Sequence, residues 1–156
     1  MEIKFKLNGK EINAEVEADT ILLDLLREKG CYSVKRGCET ANCGLCTVLM
    51  NKKSVLSCSI LAVQADGQEI VTLEGMQKEA EEFGDFLANE GAEQCGFCNP
   101  GFIMNVFAML EEIAEPTEEE VLEYLAGNLC RCSGFVGQTR SILKFLEYKK
   151  GGKKKA

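Results

Sequence analysis

The chain has 156 residues, 46% of them hydrophobic and 28% charged, and its formal net charge is −7. Because five of the 18 basic residues lie in the last eight positions, the rest of the chain is more acidic still, which excludes the basic face that nucleic-acid binding requires. No stretch approaches the ~18 apolar residues of a membrane span or the apolar core of a signal peptide, so we expect a cytoplasmic protein without a membrane partner.

The first half of the chain predicts a β-sheet with one helix. Residues 2–7 and 11–18 alternate polar and apolar side chains around an Asn-Gly turn, which is typical of a β-hairpin. A helix is predicted over 19–30, with Asp19 or Thr20 as its N-cap. The segments CTVLM and SVLSC on either side of NKK predict a second hairpin, and EIVTLEG predicts a last strand.

The second half predicts four helices. The first covers 79–89, and the second begins near Pro100 with Asn99 as its cap and continues as an apolar run that must be buried. The third opens with a capping box from Thr117 to Glu120, and the fourth fits TRSILKFLEY.

These elements divide the chain into two domains of an α+β protein. We predict a β-rich domain over 1–76, a helical domain over 77–148 and a disordered lysine-rich tail over 149–156. Each domain is small enough for a bound metal to contribute usefully to its stability.

The chain has nine cysteines and no histidine, and eight of the cysteines form two groups of four, one in each domain. The odd count and the expected reducing compartment favour metal ligands over disulfides. The first group, whose first three members have the C-x4-C-x2-C spacing of plant-type 2Fe-2S ferredoxins, is Cys38, Cys43, Cys46 and Cys58. The second group, which combines C-x2-C with C-x-C at helix ends, is Cys95, Cys98, Cys130 and Cys132. The ninth, Cys31, fits a small buried apolar residue.

Zinc is the main alternative for both groups. A structural zinc site also takes four thiolates, but it favours two C-x2-4-C knuckles, and neither group has that pattern. A zinc-stapled interaction module stays open as an alternative on ligand count, and a free-standing ferredoxin-like carrier stays open on the spacing of the first group.

Three segments, RGCETANCGLCTVLMNKKSVLSC, QCGFCNPGFIM and GNLCRCSGF, together resemble the iron-sulfur subunit of the molybdenum hydroxylases. That family includes xanthine dehydrogenase, aldehyde oxidase and the small subunit of carbon monoxide dehydrogenase. The resemblance spans nearly the whole chain. It implies a plant-type ferredoxin-like β-grasp domain followed by a four-helix bundle, each with one 2Fe-2S cluster bound by one group of cysteines.

The resemblance also implies a function in electron transfer. Electrons would pass singly from molybdopterin on a large partner subunit to FAD on a medium partner subunit, in a complex that oxidises a purine such as xanthine. Hydroxylation of an aldehyde, another N-heterocycle or CO is the alternative. In the family the helical-domain cluster lies nearest the pterin, and Gln94 and Cys132 match pterin-contacting residues, although a helix-end amide and a plain metal ligand would explain them equally well. No catalytic residue is expected on this chain.

The sequence departs from the family pattern in two places. Glu39 and Ala41 replace glycines in the usual G-C-G-E-G-x-C-G-x-C loop, which puts the conformation of that loop in question because glycine adopts positive φ freely. After Cys132, the segment SGFVGQTRSI is slightly longer than the usual T-G-Y-x-x-I, so the motif does not fix the start of the last helix.

Overall fold

The structure is a computed structural model that describes residues 1–153. Its strands are β1 (Glu2–Leu7), β2 (Lys10–Glu15), β3 (Thr47–Met50), β4 (Lys53–Leu56) and β5 (Glu69–Val71). Its α-helices are α1 (Leu22–Glu28), α2 (Gln77–Asn89), α3 (Asn99–Glu112), α4 (Glu118–Tyr124) and α5 (Phe135–Lys153). Short 3-10 helices cover Ser57–Ser59, Ala62–Ala65 and Leu73–Gly75.

The strands form one mixed sheet in the order β2-β1-β5-β3-β4. Both predicted hairpins are confirmed, since β1 pairs with β2 and β3 with β4 in antiparallel register, whereas β1 and β5 run parallel. The four leucines of α1 are buried in one hydrophobic core with Phe5, Val48 and Ile70 of the sheet. The expected α+β class is therefore confirmed.

The predicted cap of α1 is wrong. The helix begins at Leu22 with Ile21 as its N-cap, and neither Asp19 nor Thr20 caps it. The Leu22 amide donates instead to the carbonyl of Ile60 at 2.8 Å, so a distant segment of the chain satisfies the start of the helix.

The helical half packs around an aromatic centre. The rings of Phe83 and Phe145 lie 5.1 Å apart in an edge-to-face arrangement, and Phe102 of the largely buried α3 packs beside them. The predicted capping box is confirmed, because the Thr117 side chain accepts from the Glu120 amide and the Glu120 carboxylate accepts from the Thr117 amide.

Several element boundaries differ from the predictions. Asn99 is the first residue of α3 rather than its cap, and Cys98 takes the N-cap position. Helix α5 begins at Phe135, before the predicted segment, and continues to Lys153. Residues 149–153 are thus helical rather than disordered, and 154–156 lie outside the described residues.

The sheet and the helices meet in a close-packed junction. Leu49 of β3 is buried against Met104 and Ala108 of α3. One turn earlier, Gly101 lies so close to the backbone of Gly44 that a β-carbon at Gly101 would collide with the Gly44 carbonyl. Within residues 1–153, no helix is both long and apolar enough to cross a membrane.

Candidate metal centres

The first group of cysteines lies on an irregular loop between α1 and β3, except for Cys58, which follows β4. The thiols approach in pairs, Cys38 with Cys43 and Cys46 with Cys58. Backbone N–H groups of Asn42 and Thr40 point at the Cys38 sulfur and lower the pKa of this thiol to about 6. The loop backbone therefore stabilises negative charge on the Cys38 sulfur.

The two glycine replacements in this loop have different outcomes. Ala41 adopts φ +54°, so the left-handed conformation is kept at a cost of roughly 1–2 kcal/mol relative to glycine. The Glu39 side chain is 81% exposed and one of its carboxylate oxygens lies 3.8 Å from Arg36 Nη1. Because Glu39 points into solvent, it does not disturb the arrangement of the thiols.

The second group joins two loops at the end of the helical half. Cys95 Sγ and Cys132 Sγ lie 3.5 Å apart on the surface, and Cys98 pairs with Cys130 in a half-buried position. The Gly134 amide donates to Cys130 Sγ at 3.5 Å. The prediction that helix ends bring these four residues together is consistent with this placement, since Cys98 caps α3 and Cys132 lies just before α5.

The pairing indicates what the two sites can hold. A 2Fe-2S cluster has two irons, each of which takes two ligands, whereas a single zinc ion needs four thiolates around one point. Two pairs of soft thiolates in each group therefore fit a two-iron cluster.

The two groups are connected by direct contacts. The Leu129 amide donates to the Cys43 carbonyl at 3.0 Å, and Asn128 Nδ2 donates to the Gly44 carbonyl at 3.4 Å. Lys35 Nζ donates to the Phe97 carbonyl, between Cys95 and Cys98, at 3.1 Å and lies 4.6 Å from the centre of the Phe97 ring. The loops that carry the thiols are thus fixed against each other.

Several polar residues at these sites were not predicted from the sequence. Asn105, Asn128 and Gln138 are all buried. Asn105 Nδ2 donates to Asn128 Oδ1 at 2.6 Å, which supports the contact to Gly44. The sequence signal that could have identified such residues is a polar side chain within an otherwise apolar helix, as Asn105 is in α3.

The two residues matched to pterin contacts are both exposed. Gln94 directly precedes Cys95, and Cys132 meets Cys95 through its sulfur. Both side chains are accessible to a partner from the same end of the helical half. Their contact with a pterin remains a prediction.

The cysteines should differ in reactivity when no cluster is bound. Burial raises the pKa of Cys46 and of Cys98 to about 11, whereas that of Cys38 is lowered to about 6. At pH 7 we expect iodoacetamide to label Cys38 of the cluster-free chain well before the other two, since the thiolate is the nucleophile. Labelling of Cys38 should slow as the pH falls below about 6.

Peptide mapping by mass spectrometry after timed alkylation measures this order. The chain unfolded in urea serves as the control, because its cysteines should react at similar rates. Equal rates for Cys38 and Cys46 in the folded chain would contradict the expectation.

Comparison with protein families gives two matches. A 2Fe-2S iron-sulfur cluster binding domain matches residues 5–83, and a second 2Fe-2S binding domain matches residues 72–143. Each match contains all four members of one group of cysteines.

Similar curated proteins extend over most of the chain. The nicotinate dehydrogenase small FeS subunit of Eubacterium barkeri is 42% identical, over 86% of this chain and 87% of the relative. The xanthine dehydrogenase iron-sulfur-binding subunit of Escherichia coli O157:H7 is 44% identical, over 90% of this chain and 91% of the relative.

Solved structures agree with this match. Quinoline 2-oxidoreductase from Pseudomonas putida 86 has a chain that superposes with a TM-score of 0.86 at 38% identity, over 97% of both chains. The aldehyde oxidoreductase of Desulfovibrio gigas gives a TM-score of 0.88 at 32% identity, over 97% of this chain and 17% of the longer one.

The fold and the paired thiols define an iron-sulfur protein with two 2Fe-2S domains. The chain belongs to the family of iron-sulfur small subunits of the molybdenum hydroxylases, which includes subunits of nicotinate and xanthine dehydrogenases. The resemblance noted in the sequence is confirmed.

Proposed function

We propose that this chain passes electrons singly between molybdopterin on a large partner subunit and FAD on a medium partner subunit. The observation that carries the proposal is the pairing of thiols in each half of the chain, with direct contacts between the two loops. When bound, a 2Fe-2S cluster supplies one-electron redox chemistry. The proposed ligands of one cluster are Cys38, Cys43, Cys46 and Cys58. Those of the other are Cys95, Cys98, Cys130 and Cys132.

The two ends of the chain take different partners in this proposal. The exposed pair Cys95 and Cys132 faces the pterin subunit, with Gln94 and Cys132 in contact with the pterin. Four exposed apolar side chains lie next to these thiols in sequence, and we call them the apolar rim: Phe97, Leu129, Phe135 and Val136. Large apolar side chains that stay exposed beside a functional site are typical of a protein interface. The cluster in the first half of the chain then faces the flavin.

The proposed substrate of the complex is an aromatic nitrogen heterocycle, with a purine such as xanthine as the particular choice. Nicotinate, xanthine and quinoline, which appear in the names of similar proteins, all belong to this class. An aldehyde is the second candidate, because aldehyde oxidoreductases superpose equally well. Substrate chemistry is assigned to the partner subunit, since this chain has no histidine and no nucleophile motif.

We further propose a division into domains at residues 76 and 77 and a cytoplasmic location. The 3-10 helix ending at Gly75 is followed at once by α2, which supports the boundary. A chain whose cysteines serve as metal ligands suits a reducing compartment.

The proposal is tested by expressing the chain together with the proteins encoded by its neighbouring genes and purifying the resulting complex under anaerobic conditions. We expect a coloured complex with four irons and four sulfides per chain, two different EPR signals on reduction, and oxidation of xanthine in preference to nicotinate or an aldehyde. A colourless protein containing zinc would contradict the cluster assignment. A coloured protein that purifies as a stable monomer would instead indicate a free-standing carrier.

A substitution in the apolar rim tests the interface separately. Val136 is 73% exposed, so Val136→Asp should leave the fold and the clusters intact but reduce recovery of the large subunit at least tenfold. Leu122→Asp is the control, because Leu122 is 42% exposed on α4 outside the apolar rim. Equal recovery with both variants would contradict the proposed orientation.

A further inference from the structure

Gln138 is a buried polar residue in the first turn of α5. Its side chain is 2% exposed, and it shares a helix face with Ile142 and Phe145, which are both fully buried. A primary amide at a position suited to an apolar side chain is costly to bury unless it is hydrogen-bonded.

The amide finds its partner on a cysteine. Gln138 Nε2 lies 3.8 Å from Cys98 Sγ, within the range of an N–H···S hydrogen bond, and this sulfur is its hydrogen-bond partner within residues 1–153. Cys98 pairs with Cys130, whose sulfur accepts from the Gly134 amide at 3.5 Å. The beginning of α5 and the residues just before it therefore direct N–H donors at both sulfurs of the inner pair, while the outer pair, Cys95 and Cys132, is exposed.

We propose that Gln138 is a positioning residue that raises the reduction potential of the helical-domain cluster by donating a hydrogen bond to the Cys98 thiolate. The inference rests on the proposed function, in which Cys98 is a ligand. Reduction adds one electron, and part of the added charge resides on the ligand sulfurs. An N–H donor stabilises that charge, so it favours the reduced form.

The direction of the effect follows from the same argument. Removing the donor leaves the Cys98 sulfur without this stabilisation and should make the cluster harder to reduce. Because the Gln138 side chain is 2% exposed and the contact is partly buried, water has limited access to replace the lost donor. Within the described residues, Gln138 donates no hydrogen bond to a cysteine of the first half of the chain, so the potential of the cluster proposed there should stay unchanged.

The test is a redox titration of both EPR signals in the full chain with its clusters, or in the complex, for Gln138→Leu. We expect the midpoint potential of the helical-domain signal to fall and that of the other signal to stay unchanged. Gln77→Leu is the matched control, since Gln77 is exposed at the start of α2 and the same change there should shift neither potential. ENDOR in D2O gives an independent measurement, in which one exchangeable proton coupled to the helical-domain cluster should be lost in Gln138→Leu.

An unchanged potential, or an equal fall of both potentials, would overturn the proposal. If Gln138→Leu does not retain the cluster, the same titration is made on Gln138→Met, which keeps an unbranched side chain of similar length but has no donor. Loss of the cluster from both variants would overturn the assignment, since Gln138 would then be required for binding rather than for the potential. Absence of both EPR signals from the unmodified chain would contradict the proposed function itself, a separate and distinguishable failure.

Discussion

Replacement of Cys98 by alanine is expected to remove half of the iron and sulfide from the chain and to abolish one of its two EPR signals. Three thiolates leave one iron short of a ligand, and no histidine is present to replace the missing one. Cys46→Ala should abolish the other signal instead. Iron and sulfide analysis together with EPR of the dithionite-reduced protein measures both results.

Cys31 provides the matched control for this experiment. It is 4% exposed and belongs to the hydrophobic core of the sheet, where Asn8 Nδ2 lies 3.9 Å from its sulfur. We expect Cys31→Ala to retain both signals and the full iron content. Loss of a signal with Cys31→Ala, or retention of both signals with Cys98→Ala, would contradict the division into two quartets.

Substitution of Gly101 by alanine should have the largest effect on stability among the glycines of the helices. A β-carbon at this position would meet the Gly44 carbonyl and would lie 2.9 Å from Leu45 Cα, and both contacts are with backbone that cannot rotate away. We expect a loss of about 1–3 kcal/mol in the free energy of unfolding. Because the displaced backbone adjoins Cys43 and Cys46, the EPR signal of that cluster should also broaden.

Gly84→Ala in α2 is the control for the effect of adding a methyl group to a helical glycine. Apart from the neighbouring backbone of α2 itself, no atom lies within 4 Å of the position that a β-carbon would take at Gly84, so the substitution should stabilise the chain by about 0.5–1 kcal/mol through helix propensity. Denaturation followed by circular dichroism and by cluster absorbance measures both variants. A change of the same sign in both would show that the junction at Gly101 is not tightly packed.

The sequence predicts the features of this protein that depend on local pattern. Alternation and turn residues predict both hairpins, and the Thr117 to Glu120 spacing predicts the capping box, since each is determined by residues close in the chain. The spacing of the cysteines likewise predicts which thiols belong together, and their placement in pairs agrees with that grouping.

Features that depend on distant parts of the chain could not be predicted. The start of α1 is satisfied by the Ile60 carbonyl, so no local cap is needed. The last helix continues beyond its predicted end. Two ion pairs hold this part of the helix against distant segments, since Lys149 Nζ lies 2.6 Å from a Glu82 carboxylate oxygen and Lys150 Nζ lies 3.2 Å from one of Glu115. The contact of Gln138 with Cys98 joins the first turn of α5 to the N-cap of α3, forty residues apart in the chain, and has no local signature.

The hydrogen bond from the Leu129 amide to the Cys43 carbonyl has a consequence for the speed of the complex. Its donor directly precedes Cys130, so the backbone of one thiol-bearing loop touches that of the other, with no flexible linker between them. We therefore expect electron transfer between the two halves of the chain to require no hinge motion. The rate of electron transfer between the two proposed clusters should therefore not change when glycerol raises the viscosity of the solvent.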